Sequence, residues 1–280
     1  MMPLLAVIGL LWSAPPALEV AVAARALQPG ELVVLTMRVD GAASVQVKAF
    51  GREIPAFKKS EGTWVALVGI DLDQKPGPYT AAVAAQVGPT TIRATQPLAI
   101  RPKAFPTRSL RVDPSFVNPS PDELARISAD AALIRDAYAG SSTDRLWTDA
   151  FVRPVPDAAN SRFGTRSIFN GAPRSPHGGT DFLSPSGTPV GAPNAGRVVV
   201  ARDLYFTGQT VIIDHGLGVL SLLAHLSRVD VHEGERIAAG QVVGLVGATG
   251  RVTGPHLHWA LRVAGARVDA LSVLALLGRD

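Results

Sequence analysis

The chain has 280 residues, of which 47% are hydrophobic and 18% charged, with a formal net charge of +4. That length favours two domains over one core, and the apolar content excludes a disordered chain. There is no cysteine. Disulfide frameworks, thiol catalysis, Cys-ligated zinc and iron–sulfur clusters are therefore excluded, and any metal site must use His, Asp and Glu. The basic balance comes mostly from arginine, with Lys103 the last lysine. No basic run interleaves with aromatics, so nucleic-acid binding is not expected. Weak attraction to an anionic polymer is the most the charge implies.

At the N-terminus, Leu4–Trp12 is a short apolar run followed by Ser13, Ala14, Pro15, Pro16 and Ala17. This reads as a signal peptide over residues 1–17, with a mature start expected between about Ala14 and Ala24. No Lys or Arg precedes the run, which departs from the usual pattern, and no cysteine follows it to carry a lipid. Only Met1–Leu18 lacks charge over a membrane-relevant length, so a polytopic membrane protein is excluded. The expectation is an exported protein without a transmembrane segment in its mature form.

Residues 18–102 show short alternating segments, Leu32–Val39, Ser44–Ala49, Thr63–Val68 and Tyr79–Val83, separated by turns such as Pro29-Gly30 and Pro76-Gly77. This predicts an immunoglobulin-like β-sandwich. It contains no histidine, so a structural or targeting role is expected. Residues 103–146 read as a linker, irregular over 103–119. Ser120-Pro121-Asp122-Glu123 supplies an N-cap, a proline at the first helical position and a capping box. A helix over 121–138 follows, with Leu124, Ile127, Ala131, Ile134 and Tyr138 at helical spacing and Gly140 as its stop. Residues 147–280 return to short β segments rich in glycine.

All six histidines lie between His177 and His258. In His256-Leu257-His258-Trp259-Ala260-Leu261-Arg262-Val263 a strand would place Leu257, Trp259, Leu261 and Val263 on a buried face. His256, His258 and Ala260 then share the other, where the small Ala260 is expected to leave room beside the imidazoles. The segment Leu220–Ser227 repeats the design, with His225 beside Ser221, Leu223 and Ser227. A third element, His177-Gly178-Gly179-Thr180-Asp181, reads as a loop entering a strand, because two glycines disfavour a helix. Imidazoles and one carboxylate are what zinc accepts when no thiolate is available. A bare His-x-His pair more often lines a polar surface; the added His225 and His177/Asp181 reverse that balance.

These residues stand within motifs that resemble the lysostaphin/LytM-type zinc metalloendopeptidases of bacterial cell walls. The similarity runs from about Phe163 to Val263. It includes His177-Gly-Gly-Thr-Asp181, Ser186-Gly-Thr-Pro-Val190, Asp214-His215-Gly216, Ala224-His225-Leu226-Ser227, Gly244-Leu-Val-Gly247 and Gly254-Pro-His-Leu-His258. The resemblance implies an antiparallel β metallopeptidase domain with one zinc per chain on His177, Asp181 and His258, and catalytic roles for His225 and His256. It also implies peptidoglycan peptides as substrate and a periplasmic or extracellular location. Two departures, Leu223 for a frequent Tyr and Ala260 for a larger polar residue, bear on substrate contacts. His215 is expected to be structural and His232 solvated.

More loosely, the N-terminal region resembles the β-domain preceding some family members, through Gln28-Pro29-Gly30-Glu31 and Asp71-Leu-Asp-Gln-Lys-Pro-Gly77. That resemblance suggests contact of the N-terminal domain with the catalytic cleft, and a fragment starting near Ser142 that works faster than the mature protein. The alternatives are a catalytically inactive regulator or peptidoglycan-binding module that activates another wall hydrolase. A lipoyl-type carrier is excluded, because it needs a hairpin lysine and none follows Lys103.

Overall fold

A computed structural model describes residues 17–111, 118–148, 150–160 and 163–278. The expected signal segment, apart from Ala17, lies outside the described residues. None of the described helices is long and apolar enough to cross a membrane.

The first eight strands are β1 (Glu19–Ala24), β2 (Leu32–Arg38), β3 (Ala42–Ala49), β4 (Arg52–Ile54), β5 (Ala56–Ser60), β6 (Thr63–Gly69), β7 (Gly77–Val87) and β8 (Thr90–Ile100). They form two antiparallel sheets, ordered β1-β2-β6-β5 and β4-β3-β7-β8. This is the A-B-E-D and C′-C-F-G arrangement of an immunoglobulin sandwich. Val33, Leu35, Met37, Ala66 and Val68 meet Val45, Val47, Ala81, Val83 and Leu98 in its core.

Strands β2 and β6 carry unbroken apolar runs, Leu32-Val33-Val34-Leu35 and Val65-Ala66-Leu67-Val68, the pattern of strands covered on both sides. Their second face, Leu32, Val34, Val65 and Leu67, enters the core of the C-terminal domain. The two domains therefore share a core.

The linker is less irregular than its prolines imply. Thr107–Leu110 forms β9, which pairs in parallel with β10 (Arg166–Phe169); β10 in turn pairs with β11 (Ala172–Pro173). Helix α1 (Pro121–Ala139) has the expected capping box, with Ser120 Oγ accepting from the Glu123 amide and the Ser120 amide donating to Glu123. Gly140 caps its end by donating to the Asp136 carbonyl at 3.0 Å. Leu124 is exposed, and the helix docks instead through Leu133, Ile134, Ala137 and Tyr138.

The C-terminal sheet contains β12 (Thr180–Phe182), β13 (Pro189–Gly191), β14 (Gly196–Leu204), β15 (Gly208–Gly216), β16 (Val219–Val229), β17 (Arg236–Ile237), β18 (Val242–Val246), β19 (Leu257–Val263) and β20 (Ala266–Val268). Helix α2 (Ala270–Leu277) closes the chain, and the main strand order is β12-β19-β16-β15-β14-β17. One face of the sheet packs into the shared core through Leu257, Trp259, Leu261 and Val263. The other carries Val200, Ile212, Leu220, Leu222 and Ala224 beneath α1. The space expected beside Ala260 is filled by the same helix, because Ala260 packs in that cluster.

Candidate metal centre

The alternation read from β19 holds. Leu257, Trp259, Leu261 and Val263 are buried on one side, with His256 and His258 on the other. Two strands flank His258 in register: Ala224 of β16 pairs with it on one side and Asp181 of β12 on the other. Gly179 has to be glycine, because a Cβ there would lie 2.6 Å from the His258 ring. The sequence read the glycine pair only as a helix breaker.

The second histidine strand differs from its expected alternation. Leu223 pairs with Val211 and Leu226 with Gln209, so β16 holds one more residue than β15 between these points. The extra residue is absorbed in a β-bulge, where His225 has a φ of 64°. The bulge returns both Leu223 and Leu226 to the core and frees the imidazole from strict alternation. Leu223 is accordingly not a wall of the site.

His177, Asp181 and His258 come together. His177 Nε2 lies 3.0 Å from His258 Nδ1 and 3.1 Å from Asp181 Oδ1, and His258 Nδ1 lies 3.0 Å from the same oxygen. Donor atoms bound tetrahedrally at about 2.0–2.1 Å are about 3.3 Å apart, so this triangle fits one face of a zinc tetrahedron. Side-chain exposure of 26% at His177 against 13% at His258 puts the opening toward His177.

His225 and His256 sit next to this group, with ring centroids 4.8 Å apart and His225 5.8 Å from His258. His256 Nδ1 is 2.9 Å from the Gly254 carbonyl, and His225 Nδ1 is 3.0 Å from the Thr249 carbonyl. A carbonyl only accepts, so each Nδ1 carries a hydrogen, and in the neutral ring Nε2 is then the nitrogen with the lone pair. His256 Nε2 lies 3.8 Å from Asp181 Oδ1. The two carbonyls that fix these tautomers gave no sequence signal.

Burial opposes ionisation of Asp181, but hydrogen bonds from His177 and His258 outweigh it and hold its carboxyl well below the usual carboxylate range. Burial, then the neighbouring His258, pushes His225 down to about 3. Burial likewise lowers His258. An ionised Asp181 and a disfavoured charge on His225 and His258 are the directions that metal binding requires of such groups.

His215 and His232 fall outside the group. His232 is exposed and pairs with Glu235 at 2.9 Å. His215 is buried; its Nδ1 donates to the Ala195 carbonyl at 2.8 Å and its Nε2 accepts from Ser221 Oγ at 2.9 Å. Ser221 Oγ in turn accepts from Trp259 Nε1 at 3.1 Å, so this chain locks the residue next to His258.

Burial pushes His215 down to about 4. Its share of stability is complete above the ordinary histidine value and is lost as the pH falls from about 6.5 toward 4, because the unfolded chain takes the proton first. That share is about 2 kcal/mol between pH 7 and pH 5, from about 1.4 kcal/mol per unit. Thermal melts of wild type and His215→Gln should show the variant with the flatter pH dependence; parallel slopes would refute the assignment.

A profile of Peptidase family M23 matches residues 175–270. A crystal structure of a Pseudomonas aeruginosa chain assigned to peptidase M23 superposes with a TM-score of 0.69 at 30% identity, covering 91% of this chain and 97% of the other. The chain belongs to peptidase family M23. Among curated relatives, the peptidoglycan DD-endopeptidase ShyA of Vibrio cholerae is 47% identical over 96 residues, 34% of this chain and 22% of that protein. The DD-carboxypeptidase/endopeptidase Mpg of Neisseria meningitidis is 43% identical over 97 residues, 35% of this chain and 22% of its own length. The matched part thus spans about a fifth of these relatives. The family match over residues 175–270 contains all five histidine and aspartate residues of the cluster.

Proposed function

We propose that the chain is an exported zinc metalloendopeptidase that hydrolyses peptide bonds in peptidoglycan stem peptides or cross-links and so remodels the cell wall. The observation that carries this reading is the His177–Asp181–His258 triangle with two further imidazoles presenting Nε2 beside it. His177 Nε2, Asp181 Oδ1 and His258 Nδ1 would hold one zinc per chain. When bound, zinc supplies Lewis acidity toward a peptide carbonyl and makes water acidic near neutral pH. His225 and His256 are the proton-handling pair: a neutral Nε2 takes up a proton, and the resulting N–H can donate to the peptide oxygen or the leaving amine. Export is inferred from the Leu4–Trp12 run and the wall substrate, and the N-terminal mass of the protein isolated from its host checks it.

Digestion of purified peptidoglycan, with products identified by mass spectrometry, tests the activity. New amine and carboxyl termini should appear with the zinc-loaded protein and disappear after chelation. Binding to peptidoglycan without any cleavage would instead identify an inactive regulator, a reading disfavoured by the intact donor set.

A further inference from the structure

The two N-terminal turns singled out by sequence both face the C-terminal domain. Asp71 accepts from Arg267 Nη2 at 2.6 Å and from its Nε at 3.1 Å, and Asp73 accepts from the same Nη2 at 2.7 Å. Hydrogen bonding to these carboxylates raises the Arg267 pKa, and the Asp71 carboxyl falls to about 2 as those bonds outweigh its burial. Gly69 lies beside this contact with no room for a side chain: a Cβ would come 2.6 Å from that of Ala266.

The turn at Glu31 leads further. Glu31 is almost fully buried and accepts from Arg25 through Nε and Nη2, both at 2.9 Å, and from Lys103 Nζ at 2.9 Å. The same Arg25 Nη2 donates at 2.8 Å to Asp269 Oδ2, a second buried carboxylate, across 244 residues of sequence. Asp269 Oδ1 accepts from Thr180 Oγ1 at 2.9 Å and from the Leu271 amide at 3.1 Å, so one carboxylate caps α2 and tethers β12. The Asp269 amide donates to the Gly30 carbonyl at 2.8 Å, closing the contact from the other side.

Thr180 immediately precedes Asp181. Strand β12 has three residues and lies at the edge of its sheet, paired with β19 on one side; its outer side carries an isolated bridge from Phe182 to Ala159, where the Asn160 amide donates to the Asp181 carbonyl at 2.9 Å. So short an edge strand is weakly held by its own ladder. The Thr180 hydroxyl is buried and fixes the strand from beneath. Asp269 can serve as its acceptor only while its charge is compensated, because a buried carboxylate that loses its cation must move or draw in water. Its cation comes from the N-terminal domain.

We propose that Arg25, acting through Asp269 and Thr180, is a positioning residue for Asp181, which makes the N-terminal sandwich part of the scaffold of the metal centre. The proposal rests on the reading of His177, Asp181 and His258 as metal ligands. It assigns the sandwich a role other than inhibition, targeting or spacing. Arg267 is the natural control, since its pairs with Asp71 and Asp73 also join the domains but do not lead to β12.

The experiment is a zinc titration of the full chain against a chromogenic chelator, for wild type, Arg25→Met, Arg25→Lys, Thr180→Val and Arg267→Met, with a melting curve for each. Arg25→Met and Thr180→Val should weaken zinc binding about tenfold, the lower end of what lost outer partners cost. Arg25→Lys should recover part of that loss. Arg267→Met should melt earlier yet bind zinc as wild type does. Wild-type affinity in Arg25→Met overturns the proposal, and so does an equal loss in Arg267→Met, which would mean that any loosening of the interface suffices. If Arg25→Met does not fold, Thr180→Val decides alone, because it leaves the domain contact intact; unchanged affinity there is a refutation. Absence of zinc binding in wild type would instead overturn the metal reading, and this inference with it.

Discussion

His258→Ala should lose its zinc on dialysis, whereas His256→Ala, altered only two residues away on the same strand face, should keep it and still lose peptidoglycan cleavage by about a hundredfold or more. The difference follows from which nitrogen each ring offers. His258 Nδ1 closes the triangle with His177 and Asp181 at 3.0 Å to each. His256 commits its Nδ1 hydrogen to the Gly254 carbonyl and holds Nε2 at 3.8 Å from Asp181, outside hydrogen-bond range. Removing His258 takes one of three donors, while removing His256 leaves all three. His225→Ala should behave like His256→Ala, since its Nδ1 is tied to Thr249 in the same manner. His232→Ala, at an exposed position, should match wild type in both measurements. Zinc stoichiometry and cleavage are read for each variant. If His256→Ala loses metal while His258→Ala keeps it, the ligand assignment is reversed; full activity in every variant would remove the peptidase reading.

The strand carrying His256 and His258 was legible because a period of two needs only local information: four large apolar side chains must share one face, so the residues between them share the other. The same reasoning misplaced Leu223. The bulge at His225 breaks the period, and a single histidine in a left-handed conformation leaves no mark on the apolar pattern around it. The meeting of Asp181 with His258 was reached through the resemblance, since residues 77 apart in sequence become neighbours only by sheet register.

Tertiary coverage was the least legible. The unbroken runs in β2 and β6 are a sign of burial on both sides, yet nothing local says that the second cover is another domain. Ala260 looked like an opening because the helix that fills it lies more than a hundred residues earlier in the chain. The turns around Glu31 and Asp71 stood out by similarity, but their partners Asp269 and Arg267 carry no matching signal of their own.

A fragment starting near Ser142 should fail to hold the catalytic fold, contrary to the faster turnover that the resemblance suggested. The sandwich packs on the apolar back of the sheet, where Leu32, Val65 and Leu67 join Trp259, Leu261, Val263, Ala266 and Val268. Truncation there uncovers that back. It also deletes α1, uncovering Leu220, Leu222 and Ala224 on the front, and removes Ser141, whose hydroxyl donates to the buried Asp214 at 2.6 Å and accepts from the Gly218 amide at 3.0 Å. Each large apolar side chain returned to water costs about 1.5–3 kcal/mol. Several of them together match the whole margin of about 5–15 kcal/mol that a domain has. The fragment is therefore expected to be insoluble or to melt without cooperativity, and a fragment starting at Asn118, which keeps α1 and Ser141, should fare better while still exposing the back of the sheet. Melting curves of the full chain and both fragments check this order. A Ser142 fragment that melts cooperatively within a few degrees of the full chain, and cleaves peptidoglycan faster per molecule, would show that the shared core is dispensable and that the N-terminal region acts as an inhibitor after all.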